Sequence, residues 1–561
     1  MATTKTGKIL ISKPFGGWIN TLSDVITSTN PTAALEGNEG QYTYSVAVSL
    51  TKPERLGHLS PGETFTALTD SSTYLLAVPI NGALCSNSNA FIVLQNGSVI
   101  ETGAQSVGVP NVGIIDSFSP VGHGTGSTTY SIAASLNPDV IVIKDNASTP
   151  NEYVVATWDD GVGTTIASSD AMVLKLNGAN ITLKTSDWFS QGNSGSYLIA
   201  AVPHKMCQGP QGNVYITNGQ YIASATMGAS VSLGASTRTA KALNLGSGWI
   251  SNGICSYKNY LAIVGHNKQA TFNSGNKLFR GDCRVWLWDG TNSNPNFIYD
   301  IPDNYGNGIY FDGVDLYVVS NGRNNSSKIF KFNGNGFSLI VESGFIAPGF
   351  NPNQGGMEFF NESLHIGAIN NSNAHLFQLI GNGLHDRTIV KNGTTAMTSV
   401  GMVKNFYQNA LYVGVSEGAL SNGIGTSPYR IMFMPATGGS GYYLNSFFRT
   451  RLYDIGYEAT LTKIKVYFSQ FGTGASLKMA LYKDYDTGVV GGANDLLNKT
   501  INYGLLSPSA AGGVVRSWSM PLDIPKVNSF YLDFIWNHAS TSNTAAIIRK
   551  VEVEYLPTDS I

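Results

Sequence analysis

Charge is scarce in this chain. Only 12% of its 561 residues are Asp, Glu, Lys or Arg, about half of the ~25% usual for soluble proteins. No run of Lys or Arg supplies phosphate-neutralising charge, which argues against a sequence-specific nucleic-acid partner. Cysteine is rare too. The four residues, Cys85, Cys207, Cys255 and Cys283, show no Cys-x-x-Cys spacing, and the histidines are scattered. They read as buried reduced thiols, not zinc ligands. No apolar run reaches the ~18 residues of a membrane-spanning helix. Helical periodicity is nearly missing, which excludes coiled coils and helical arrays. The polar start, Met1 to Lys8, leads only into Ile9-Leu10-Ile11. That run is too short for a secretory signal, so synthesis in a cytoplasm is expected.

What is abundant is turn-forming and apolar. The chain has 63 Gly, 50 Asn, 11% aromatic and 42% hydrophobic residues, with a formal charge of -2. Such a composition can bury a core, so the chain is not disordered. Short alternating runs end in Asn-Gly or Asp-Gly, which supply the positive φ values of tight turns. Examples are Phe91–Gln95 before Asn96-Gly97, Met172–Leu176 before Asn177-Gly178, Val285–Trp288 before Asp289-Gly290 and Ile329–Phe332 before Asn333-Gly334.

These runs repeat. A strand pattern recurs around Val214, Leu261, Leu316, Leu364 and Leu411, at steps of 47, 55, 48 and 47 residues. One further strand follows in each unit: Val285–Trp288, Ile329–Phe332, Leu376–Leu379 and Ile431–Met434. A period of about 40–50 residues with about four strands is the signature of a propeller blade. Thr73–Val78 and Asp139–Ile143 read as earlier equivalents. The expected fold class is therefore all-β, with a β-propeller of about five to seven blades over 61–438.

Two flanks lie outside the repeat. Residues 1–60 read as an N-terminal extended arm with one or two strands. Residues 441–561 follow the linker Pro435–Gly441 and alternate strictly. Ile464, Val466 and Phe468 share one face, as do Leu477, Met479 and Leu481, then Phe530, Leu532, Phe534 and Trp536, and Val551, Val553 and Tyr555. A jelly-roll-like β-sandwich is expected there. The arm is expected to dock on a neighbouring subunit through Gly16-Gly17, Trp18 and the strand Tyr42–Ser49, or else to complete the last blade.

Chemistry-bearing patterns are sparse. Glycoside hydrolysis needs two carboxylates flanking a bond, and only 36 acids exist, mostly in turns. Thr185-Ser186-Asp187-Trp188 is a fragment of a sialidase-type motif. No Gly-x-Ser-x-Gly sits at a strand-to-helix turn. Asp484-Tyr485-Asp486-Thr487-Gly488 opens like a calcium loop but lacks the distal Glu, and a polar turn is the simpler reading. No catalytic residue, cofactor or metal is expected. The candidate interface residues are Phe15, Trp18, Tyr42, Tyr44, Tyr442, Tyr443, Phe447 and Phe448, because aromatics anchor interfaces. The closing of a small core is the competing role.

The arm, the propeller and the C-terminal strands together resemble virion proteins of tailed bacteriophages. By architecture the chain is similar to the tail nozzle family, also called tail tubular protein B. Phe15-Gly16-Gly17, then Arg55-Leu56-Gly57 and Pro61-Gly62, resemble that family's arm. Leu461–Phe468 and Ser476–Tyr482 resemble end domains of phage structural propeller proteins. The family often places its platform strands within the propeller, a departure that also admits a collar, baseplate, capsid-spike or fibre protein. The resemblance implies a structural component of the virion and no enzyme. It implies a symmetric homo-oligomer, six-fold, against portal, adaptor or fibre proteins. The alternative is a receptor- or glycan-binding spike that meets a host surface glycan.

Overall fold

The computed structural model describes residues 7–11, 17–18, 41–46, 48–49, 56–58, 66–67, 79–86, 89–94, 98–102, 114–118, 138–145, 147–159, 169–177, 180–185, 188–189, 198–210, 212–226, 238–268, 271–272, 278–322, 327–343, 356–360, 362–370, 373–381, 383–386, 397–407, 410–417, 429–435, 445–471, 475–484, 497–502, 516–538 and 546–558. No helix occurs among them. The all-β expectation holds.

Six short strands come first: β1 (Gly7–Ile11), β2 (Gly17–Trp18), β3 (Gln41–Val46), β4 (Val48–Ser49), β5 (Leu56–His58) and β6 (Thr66–Ala67). Sheet one then comprises β7 (Pro79–Leu84), β8 (Ala90–Leu94), β9 (Val99–Thr102) and β10 (Ile114–Phe118). Sheet two is β11 (Val140–Lys144), β12 (Glu152–Asp159), β13 (Ser169–Asn177) and β14 (Asn180–Thr185). Sheet three is β15 (Met206–Gln208), β16 (Val214–Asn218), β17 (Tyr221–Ala225) and β18 (Arg238–Asn244). Sheet four opens with β19 (Trp249–Tyr257) and β20 (Tyr260–Asn267). A small hairpin, β21 (Thr271–Phe272) and β22 (Leu278–Arg280), separates these from β23 (Cys283–Trp288) and β24 (Phe297–Ile301). Sheet five is β25 (Tyr305–Phe311), β26 (Leu316–Asn321), β27 (Ser327–Phe332) and β28 (Phe337–Ser343). Sheet six is β29 (Gly356–Phe360), β30 (Ser363–Asn370), β31 (Asn373–Ile380) and β32 (Gly383–Asp386). Sheet seven joins β33 (Met397–Tyr407), β34 (Ala410–Glu417) and β35 (Tyr429–Pro435) to β6.

The seven sheets form a propeller. Each first strand lies beside the first strand of the next sheet, from β7 through β11, β15, β19, β25 and β29 to β33, and β33 lies beside β7. Ring closure leaves no first strand at a free edge. The repeat found in the sequence marks the second strands, β16, β20, β26, β30 and β34, whose Val214, Leu261, Leu316, Leu364 and Leu411 are 0–1% exposed. Two details differ from expectation. The unit does not stop at the third strand; an outer fourth strand follows. Asp139–Ile143 falls largely on a first strand, β11, and the second strand of that sheet is the fully buried β12. Thr73–Val78 lies outside the described residues.

Turn chemistry follows the sequence unevenly. Asn177 pairs with Asn180, which leaves Gly178-Ala179 between the partners and sets the register one residue past the Asn-Gly centre that the sequence suggests. Asp289-Gly290 opens a longer loop instead, because Asp289 Oδ1 accepts the Thr291 and Asn292 amides at 2.9 Å and winds the chain on itself. Gly290 takes φ 84° there. Gly265 is needed for space: a Cβ on it would stand 2.2 Å from the Ile250 carbonyl oxygen on the paired strand β19. Gly265→Ala should therefore lower stability by about 1–3 kcal/mol, read as a shifted urea midpoint. A wild-type midpoint would show that β19 yields.

The C-terminal strands are β36 (Asn445–Thr450), β37 (Tyr453–Gln470), β38 (Ala475–Lys483), β39 (Leu497–Asn502), β40 (Arg516–His538) and β41 (Ile547–Pro557). They join β1–β5 in one 11-stranded sheet whose main path runs β2-β3-β36-β40-β37-β41-β5-β4. Both long strands carry several register shifts or change partners along their length, so one sheet covers a core. That core takes the faces expected from alternation: Ile464, Val466, Phe468, Leu477, Met479, Leu481, Phe530, Leu532, Phe534 and Trp536 are all 0% exposed. The pairings link all eleven strands into one continuous network.

The chain divides into two compact units, one of residues 67–376 with 390–433, the other of 1–66, 377–389 and 434–561. The expected boundaries, 1–60, 61–438 and 441–561, are corrected in one respect. The N-terminal stretch is no free arm. Gly7–Ile11 pairs with Val551–Tyr555, and Tyr42–Val46 pairs with Phe447–Thr450. Its alternating strand does add to a sheet edge, but the edge belongs to its own chain. The strand that completes the last blade is β6, not Tyr42–Ser49.

Lys8 on β1 fastens this pairing. Its Nζ lies 2.8 Å from Glu552, which also takes Lys550 Nζ and the Tyr467 hydroxyl at 2.9 Å. Burial works against the charged carboxylate, yet these three donors hold its pKa down to about 2. A depressed acid contributes stability above its unfolded pKa of about 4.3 and loses it as pH falls through the folded value. Acid titration should therefore weaken this sheet between about pH 4 and pH 2, and Glu552→Gln should flatten that limb. An unchanged acid limb in the variant would refute the assignment.

Candidate functional site

The candidate interface aromatics fall into three groups. Phe15, Tyr442 and Tyr443 lie outside the described residues. Trp18 and Tyr44 sit on β2 and β3, with only their backbone described. Tyr42 and Phe448 are 1% and 2% exposed and are core, which corrects their assignment as interface anchors. Their rings pack at 5.2 Å, and Tyr42 also stacks on His385 at 5.7 Å. Phe447 is half-buried beneath the Arg449 guanidinium, 5.6 Å from its ring centroid. The competing role, closing a small core, is the one taken by Tyr42 and Phe448.

Exposed apolar surface concentrates elsewhere, on sheets four and five. Phe297 and Ile298 on the outer strand β24 are 48% and 51% exposed, Leu339 on β28 is 50% exposed, and Val314 at the β25–β26 turn is 78% exposed. Phe297 extends an aromatic cluster: Tyr260 meets Phe297 at 5.8 Å, Tyr299 meets Phe332 at 5.2 Å, and Phe332 meets Phe337 at 5.0 Å. The nearby charges are paired, Arg284 with Asp300 and Lys331 with Asp315, each at 2.6 Å. Exposed large apolar side chains beside neutralised charges are a physical mark of a contact face. Sequence reading missed it by ending the sheet-four unit at Trp288. The available signal was Phe297-Ile298-Tyr299, an apolar run of strand-forming residues soon after the Asp289-Gly290 turn.

The buried polar groups of the propeller serve its construction. Asp139, 4% exposed, precedes β11. Its Oδ2 accepts the Met206 amide of sheet three at 2.8 Å, and its Oδ1 accepts Val140 N at 3.0 Å and the Asn81 side chain of sheet one. One carboxylate thus ties three sheets together. Lys205 stands close by, with Nζ 3.4 Å from the Pro138 carbonyl; burial lowers its pKa against the pull of Asp139.

His204 is the group nearest to a catalytic base. It is 1% exposed, and its Nδ1 lies 2.9 Å from the Thr217 carbonyl oxygen, which can only accept. Nδ1 therefore carries the proton. Nε2 sits 3.9 Å from Asp159. Burial lowers the His204 pKa against the raising effect of Asp159. Among the described residues no hydroxyl or thiol is hydrogen-bonded to Nε2, so no nucleophile of a triad stands there among them. Elsewhere, Asn252 bonds His266 and reaches the Gly306 carbonyl of the next sheet, both at 2.6 Å. Burial drives the His266 pKa down to about 3.

The remaining motifs resolve simply. The four cysteines are free thiols, and burial raises the pKa of each. Trp188 of the sialidase-like fragment is 0% exposed. Asp484, at φ 52°, accepts the Asn528 and Ser529 amides at 3.1 Å, which fits the polar-turn reading; Asp486 lies outside the described residues. Among the described residues no group of three or more His, Cys, Asp or Glu can hold a metal ion.

No family model matches this chain, and no curated protein matches it. Solved structures give weak likenesses. An oxidoreductase (glucose dehydrogenase) of Thermus thermophilus is 13% identical, with 66% of this chain and 99% of that chain covered, at a TM-score of 0.33. Trypanosoma rangeli sialidase in complex with sialic acid is 11% identical over 78% and 94%, at a TM-score of 0.31. Chaetomium thermophilum Raptor is 8% identical over 66% and 29%, at a TM-score of 0.39. These are likenesses alone, and the propeller stands on its own strand order.

Proposed function

We propose that this chain is a non-catalytic structural component of a tailed-bacteriophage virion, a tail or head-to-tail ring protein that works as a symmetric, six-fold homo-oligomer. The observation that supports assembly is the apolar rim at Phe297, Ile298, Val314 and Leu339, beside charges that are already paired. The phage identity rests on the resemblance of Phe15-Gly16-Gly17, Arg55-Leu56-Gly57 and Leu461–Tyr482 alone. The non-catalytic reading rests on Asp139 and the His204–Asp159 pair, whose geometry serves folding.

Electron microscopy of the purified chain and of the particle that carries it tests this reading. A ring of identical copies is expected, with sheets four and five at the contact and at least ~1,000 Å² buried per interface. Phe297→Glu with Leu339→Glu should break the ring and leave the fold intact. A particle map with one isolated copy overturns the proposal. Trimers that bind a host surface glycan replace it with the spike reading. Polysaccharide cleavage that disappears on substituting one acid would make the chain an enzyme.

A further inference from the structure

The chain holds 12 Asn-Gly steps. Where the structure describes the asparagine side chain, five are buried: Asn81, Asn218, Asn252, Asn307 and Asn321 are 0–9% exposed. Two are exposed, Asn333 and Asn335, and both lie in the β27–β28 turn. We propose that Asn335 is a site of spontaneous deamidation, a covalent modification that turns it into aspartate or isoaspartate.

The chemistry balances with water alone. The Gly336 amide nitrogen loses its proton to base and attacks Cγ of Asn335. The new C–N bond closes a succinimide, the Cγ–Nδ2 bond breaks, and ammonia leaves. Water then opens the ring at either carbonyl. Glycine favours the attack because no Cβ shields its nitrogen. The buried asparagines are held away from this path. Asn218, for example, donates to the Ala240 carbonyl at 2.8 Å and accepts the Ile199 amide at 2.6 Å.

Hydrogen bonding separates the two exposed candidates. Asn333 Oδ1 accepts the Asn335 and Gly336 amides at 3.0 Å, and its Nδ2 donates to Ser338 Oγ at 2.9 Å. All three bonds must break before its side chain can turn onto Gly334. The Asn335 side chain makes no hydrogen bond among the described residues, and its attacking nitrogen, Gly336 N, must release only the bond to Asn333. Two further hydrogen bonds of ordinary strength correspond to about thirtyfold in rate. The product places a carboxylate two residues from Phe337, at the apolar rim.

The test is peptide mapping of the folded full-length chain during incubation in mildly alkaline buffer, with isoaspartyl methyltransferase as the isoaspartate probe. Of the seven described asparagines, Asn335 should convert first, about thirtyfold ahead of Asn333, with the five buried ones unchanged. Asn335→Gln should remove the early product. Conversion of Asn333 at an equal or higher rate overturns the proposal. So does early conversion of a buried asparagine, or an intact Asn335 after a free peptide of the same sequence has fully converted. None of these outcomes depends on whether the chain assembles into a ring.

Discussion

Arg449→Ala is expected to destabilise the C-terminal sheet by about 3–5 kcal/mol. Arg449 and Asp533 face each other across β36 and β40 and form a two-pronged pair, Nε to Oδ1 at 2.7 Å and Nη2 to Oδ2 at 2.6 Å. Their side chains are 3% and 0% exposed. The guanidinium also lies 5.1 Å from the Tyr531 ring centroid and 5.9 Å from that of Tyr482. Removing the arginine strands a carboxylate in an apolar interior, and desolvation of that charge is the larger part of the loss. Arg449→Met with Asp533→Leu removes both charges at once and should recover most of the stability. Denaturant unfolding of the wild type and both variants checks this. A loss below ~1 kcal/mol in the single variant would place the pair with exposed salt bridges.

Deleting residues 1–46 should bring down the C-terminal unit. The deletion removes β1 and β3. Tyr42, sealed between Phe448 and His385, is alone worth about 3–5 kcal/mol by analogy with large aromatic truncations. Ile9 and Ile11, which pack against the same core, go with it. The exposed edges of β36 and β41 would then invite intermolecular pairing. Loss of solubility, or rapid proteolysis confined to residues 434–561, is the expected readout. A soluble truncated chain with a protected C-terminal unit that fails only to enter a particle would restore the intermolecular arm.

The difference between these two readings of the arm shows what local pattern can and cannot carry. The second strands of the blades were legible because Val214, Leu261, Leu316, Leu364 and Leu411 recur at similar steps, and each is buried from both sides. The inward faces of β37, β38 and β40 were legible because a half-buried strand alternates strictly. The partner of Tyr42–Val46 was not, since an apolar face reads the same whether its mate lies on this chain or another. Fourth strands escaped notice because they share no common pattern: Phe297–Ile301 is rich in large apolar residues, whereas Arg238–Asn244 carries Arg238 and Lys241. The two residues of β6 carry no pattern at all. At the contact surface, Tyr42 and Phe448 were singled out as aromatic, yet aromatic residues serve cores and interfaces alike. Only the fold separates them from Phe297 and Ile298.

Gly7 pairs with Tyr555 and Ile11 with Val551, so β1 and β41 run antiparallel with the start of one beside the finish of the other. Tension applied between Gly7 and Pro557 would therefore act as a zipper pull. The ladder opens one bond at a time from the Gly7–Tyr555 rung, at low force, instead of resisting in shear with all rungs loaded together. Until that zipper gives, the load path runs across β1 and β41 alone, and the propeller residues between them in the chain carry none of it.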